Sequence, residues 1–237
     1  MTLAVGGLLF LLGMRILVMA RLTRGVPEIL IGAFFLLLGP AGTIFLTAET
    51  LLPAHAGRGG ALAGVPVSIA MVLACVFTYR TFRQGVAWAR ALLAVAVAAL
   101  AASLYVEVHG ARFFVDFEPR LEVVLPRAAC LGWGAYEAAR CYFMMQRRRK
   151  FGLGDPVLSN RFLLYAVWTA ALALIPAVRT VVRLLELARV EVQWRLPFTL
   201  ISVGAASVMF VAMFLNFWPP DGYLRWLRQR AAAGATS

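Results

Sequence analysis

Charge is scarce in this chain. Only 14% of its 237 residues are charged, against 62% hydrophobic. A soluble domain carries roughly 25% charged and about half apolar residues, so a water-soluble globule is excluded. Lysine is almost missing, with Lys150 as the single example. Histidine is limited to His55 and His109, both at the edges of apolar runs. That excludes a haem clamped between helices and a deep histidine metal site. Cys75, Cys130 and Cys141 all sit in apolar stretches and include no Cys-x-x-Cys, so they read as packing residues rather than a disulfide framework. There is no glycine-rich phosphate loop, no Ser/His/Asp set and no His-Glu-x-x-His. The sequence thus offers no catalytic residue, metal ligand set or cofactor motif, and an enzyme is the less favoured class.

What is present is a series of apolar stretches, most of them close to the ~18–20 residues that cross a bilayer core. They predict an all-α seven-transmembrane-helix bundle forming a single domain over 1–237. The crossings fall at about 3–20, 27–48, 61–79, 87–106, 123–145, 161–182 and 197–217, with a short surface helix at 222–232. Pro27-Glu28 suits a helix start, with proline in the first turn and an acid at the positive end. Gly39-Pro40 is expected to bend the second helix, and Pro176 to interrupt the sixth. Ala87, Ala91, Ala94, Ala98 and Ala102 line one side of the fourth, a small-residue seam suited to bundle packing.

The net charge of +12 would suit a nucleic-acid partner in a soluble chain. Here the cations segregate. Thirteen basic residues against three acids lie on the side of the first, third and fifth loops and the C-terminus; eight against seven lie on the other. By the positive-inside rule the N-terminus is out and the C-terminus in, and nucleic acid is not required. The inner basic face comprises Arg80, Arg147, Arg148, Arg149 and Lys150. The terminal segment Tyr223-Leu224-Arg225-Trp226-Leu227-Arg228 is basic and amphipathic, suited to anionic lipids at the cytoplasmic face. The arginine-dominated composition points to a bacterial inner (plasma) membrane.

One carboxylate is expected deep in hydrocarbon. Glu137 precedes Arg147 by ten residues, about 15 Å along a helix. A charge at mid-depth costs about 2.5–3.5 kcal/mol unless paired, which makes it a candidate functional group. Trp133, Tyr136, Glu137 and Arg140 share an arc by i, i+3, i+4 spacing; with Trp168 they form the candidate ligand-binding set. The competing account is an intrahelical Glu137–Arg140 pair. Arg15 and Glu28 face each other across the first hairpin and are read as a structural ion pair.

Gly152-Leu153-Gly154-Asp155 matches the Gly-x-Gly-Asp signature and so resembles intramembrane aspartyl proteases. Their chemistry needs two aspartates sharing a proton; no second Asp lies within a helix, and Asp155-Pro156 also fits a helix N-cap followed by a first-turn proline. Seven crossings with the N-terminus out resemble the topology of microbial rhodopsins. That resemblance implies a Schiff-base lysine in the seventh helix, which 199–216 lacks, so retinal is excluded. The expectation is therefore a receptor- or sensor-like protein binding a small or lipophilic ligand, or a membrane or cytoplasmic protein partner or second copy, within the bundle. A small-solute or proton-coupled transporter using Glu137 and a structural subunit of a membrane complex are the two alternatives.

Overall fold

The computed structural model describes residues 2–51, 56–110, 121–149, 151, 153–187 and 195–233. Among them every regular element is an α-helix: α1 (Thr2–Thr23), α2 (Val26–Leu51), α3 (Ala56–Phe82), α4 (Ala87–Gly110), α5 (Leu121–Arg149), α6 (Pro156–Leu187), α7 (Arg195–Phe217) and α8 (Asp221–Ala233). Five contain stretches long and apolar enough to cross a bilayer: Gly6–Thr23, Gly64–Phe82, Ala87–Val108, Pro156–Val182 and Leu196–Phe217. This is the signature of a helical integral membrane protein. α2 contributes the shorter apolar stretch Val26–Pro40. In α5, Arg127, Glu137 and Arg140 break the apolar run.

Helix ends extend past their sequence limits. α4 continues to Gly110, which moves Glu107 from an expected loop into the helix. α6 begins at Pro156, where Val157 N donates to Asp155 Oδ1 at 2.8 Å, so Asp155 is its N-cap. α6 is also not interrupted at Pro176 but runs on to Leu187. The proline ring removes the donor that would meet the Leu172 carbonyl, yet membrane helices tolerate such a residue because neighbouring groups meet the freed ones.

The chain divides into two compact units, residues 1–130 and 131–237. In the first, α1 packs on α2, α2 on α3 and α3 on α4. Arg24 closes α1 in a left-handed conformation (φ 52°), and α2 begins two residues later, giving a tight helical hairpin. Glycines let its two backbones touch. A Cβ on Gly13 would lie 2.8 Å from the Gly32 carbonyl oxygen, and one on Gly39 would lie 2.6 Å from that of Gly6. Gly6 and Gly13 are one heptad apart on α1, as Gly32 and Gly39 are on α2, so two glycine pairs form an antiparallel seam. Side chains on either side complete this core: Leu9 and Ile16 from α1, Phe34 and Phe35 from α2, Met71 and Cys75 from α3.

The α4 alanine stripe does not serve bundle packing as its spacing suggests. Ala87, Ala91, Ala94, Ala98 and Ala102 are all exposed, and α4 buries Ala89, Leu100 and Ser103 instead. With apolar residues on every side of α4, the alanine spacing alone does not specify which arc meets α3. In the second unit α7 and α8 both pack on α6. There Trp168, 1% exposed, stands edge-on to Tyr165 with ring centroids 5.0 Å apart and also meets Phe217 of α7.

Candidate functional site

α5 carries a buried carboxylate. Glu137 is 1% exposed, beside Ala138, which is wholly buried. Its arc on the helix grades from interior to exterior. Glu137 lies on the buried side, and Trp133 one turn earlier is half-buried. Arg140 is exposed, and Tyr136 at the outer edge is 64% exposed. Of the four aromatic and charged residues, therefore, Trp133 and Glu137 turn inward, while Tyr136 and Arg140 turn away. The arginine still reaches back: its Nη1 lies 3.7 Å from Glu137 Oε2, an i, i+3 pair with one partner fully desolvated and the other in contact with the surroundings. Trp133 Nε1 is itself buried and has no hydrogen-bond partner among the described residues. A buried N–H left in that state carries a desolvation penalty of about 1–3 kcal/mol. An acceptor placed against it would remove that penalty. Trp168 belongs to the α6–α7 aromatic packing described above.

A second polar cluster lies in the first unit, and sequence reasoning missed it. Arg127, near the start of α5, pairs through Nη2 with Glu107 Oε2 at 2.5 Å and donates to Ser68 Oγ of α3 at 3.1 Å. The two charged side chains are only 18% and 14% exposed. The glutamate carboxylate sits against the bare α-carbon of Gly64, where any Cβ would collide with it. Three helices, α3, α4 and α5, are thus tied by one guanidinium and one carboxylate. The available signal was compensation: Glu107 and Arg127 are opposite charges flanking one connection.

The remaining residues singled out from sequence are placed as follows. Arg15 is half-buried on α1, and Glu28 is half-buried in the first turn of α2 with its carboxylate over Gly25. Arg80 ends α3 in the first unit; Arg147, Arg148 and Arg149 end α5 in the second. Lys150 lies outside the described residues. At the end of α5 that carries these arginines, Gln146 Nε2 donates to Ser159 Oγ of α6 at 3.4 Å, and the adjacent Asn160 Nδ2 donates to Tyr223 Oη of α8 at 2.9 Å.

Compared with protein-family models, with curated proteins and with solved structures, the chain matches none.

Proposed function

We propose that this is a receptor- or sensor-like membrane protein that binds a small or lipophilic ligand, or a membrane partner, beside Trp133 and Glu137 of α5. One observation carries the reading. A carboxylate removed from solvent and an indole N–H removed from solvent without a partner stand one helical turn apart on the inward side of the same helix. A buried donor without an acceptor is not favoured by folding alone, whereas a carboxylate so far from solvent has its pairing with Arg140 to offset burial. A ligand offering an acceptor to Trp133 Nε1 removes the donor's cost, with the Glu137 carboxylate one turn away as a second polar contact. Trp168 belongs to the proposed site as an aromatic wall. In this reading α2 and α5 cross the bilayer with the five apolar helices, giving seven crossings. The N-terminus is outside, α8 lies on the inner surface, and the membrane is the bacterial inner one. The inward placement of Glu137 and the Arg127–Glu107 pair are what allow α5 to cross despite its charges.

The test is to purify the full chain, the Glu137→Gln variant and the Trp133→Phe variant from the membrane under identical mild conditions. Small molecules released on denaturation are then compared by mass spectrometry. We expect a species held by the parent protein to be depleted in both variants, with all three eluting as the same folded species. Identical profiles would reject the site.

A further inference from the structure

The basic end of the second unit has features that an aqueous charged surface does not need. The α5 C-terminus, the α6 N-terminus and the start of α8 are drawn together by neighbouring residues, through Gln146–Ser159 and Asn160–Tyr223. The turn after α5 folds back tightly on the helix end: Phe151 N and Leu153 N both donate to the Arg148 carbonyl, at 3.0 and 3.1 Å. Gly154 is pressed against the Arg149 side chain, where a Cβ would collide. This folding lifts two large apolar side chains outward, leaving Phe151 79% and Leu153 78% exposed. Both are bonded through their backbone to Arg148, which like Arg147 is exposed. From α8, Arg225 and Arg228 are exposed at the same end, while the tyrosine of that helix is held by α6.

Among the described residues, none of these four arginines pairs with a carboxylate. The nearby acids have other work: Asp155 caps α6, and Asp221 lies in the first turn of α8. Guanidinium groups at the end of membrane helices, interleaved with apolar side chains that water would not reward, match the boundary of a bilayer. Arginine also matches phosphate better than lysine does, because its planar fork donates two parallel hydrogen bonds.

We infer that Arg147, Arg148, Arg225 and Arg228 form a docking surface for anionic phospholipid headgroups, with Phe151 and Leu153 inserted among the acyl chains beside them. The inference rests on the helices spanning a bilayer and is independent of the Glu137 site. It also assigns α8 a purpose: the Asn160–Tyr223 bond holds the helix where its arginines add to those of α5.

The experiment uses the full chain reconstituted in nanodiscs of phosphatidylcholine containing one-fifth phosphatidylglycerol, then released and weighed by native mass spectrometry. The parent chain should retain phosphatidylglycerol well beyond its share of the disc. Replacing Arg147, Arg148, Arg225 and Arg228 with Gln should lower the retained phosphatidylglycerol-to-phosphatidylcholine ratio by about tenfold. A charge-matched variant of the first unit, with Gln at positions 21, 24, 80 and 90, should keep the parent ratio. Phe151→Ser with Leu153→Ser should retain phosphatidylglycerol at low salt and lose it at high salt. Equal losses in both arginine variants would reduce the effect to net charge and overturn the proposal, as would a parent-like ratio in the first. Glu137→Gln should leave the ratio unchanged, which separates failure here from failure of the ligand site.

Discussion

The α1–α2 hairpin and the α5–α6–α8 corner solve the same problem by opposite means. In a bilayer the hydrophobic effect gives helices little net attraction for one another, because lipid tails are as apolar as leucine. Close packing and hydrogen bonds must supply it. The hairpin uses packing: four glycines bring backbone against backbone, and Leu9, Ile16, Phe34 and Phe35 are buried beside them. The corner uses side-chain bonds between polar residues on different helices, Gln146 to Ser159 and Asn160 to Tyr223. Packing of the first kind fails when volume is added. Ties of the second kind fail when an atom is removed. The Arg127–Glu107 cluster shows that the first unit also contains a tie of the second kind.

That cluster is where the largest effect is expected. Arg127→Ala leaves Glu107 largely buried without its cation, and removing one partner of such a pair costs about 3 kcal/mol or more. Denaturation in mixed detergent–SDS micelles should register the loss. Replacing both residues with apolar ones of similar volume should recover much of it, and a double replacement as unstable as the single would show that the pair is not the tie described. Next comes the seam. Gly39→Val places a branched side chain where the Gly6 carbonyl stands 2.6 Å away, so α1 and α2 must separate. Overpacking of this kind costs about 2–3 kcal/mol, readable by the same titration.

Much of the fold was legible because hydropathy and charge placement act locally. The apolar stretches, the Asp155 cap and the helical character of the terminal segment follow from the order of residues along one helix. Properties set by the neighbour of a helix were not legible. The glycine seam requires the antiparallel register that pairs Gly6 with Gly39 and Gly13 with Gly32; spacing within one helix shows only half of it. The exposed alanines of α4 show the converse, a seam-like spacing that the described residues of its own unit leave uncovered. Glu107 was hidden by one helical turn, since ending α4 at residue 106 placed it in a loop, away from Arg127. At the candidate site, depth along α5 identified Glu137, but helical spacing gave an arc, and only packing separates its inward members from Tyr136.

A smaller effect is expected at the corner. Asn160→Ala removes the donor to Tyr223 Oη in a half-buried setting, and a neutral hydrogen bond there is worth about 1 kcal/mol. The loss should be seen as protease sensitivity of α8, with little change in the unfolding of α6 and α7. If α8 stays protected, its hold on α6 is apolar, through residues such as Leu224 and Leu227, and the contrast with the hairpin narrows.

The smallest effect carries the opposite sign. Gly7 neighbours the Gly6 of the seam, but a Cβ there would meet nothing within 4 Å. A glycine in a helix interior costs about 0.5–1 kcal/mol relative to alanine, because the unfolded chain has more freedom to lose. Gly7→Ala should therefore stabilise α1 by a few tenths of a kcal/mol up to about 1 kcal/mol. Gly39→Ala, carrying the same single methyl into the seam, should destabilise. Both changes add one carbon to a glycine within the same hairpin, so helix propensity and lipid exposure of a methyl group cannot produce opposite signs. Only the register that sets Gly6 and Gly39 face to face can do so.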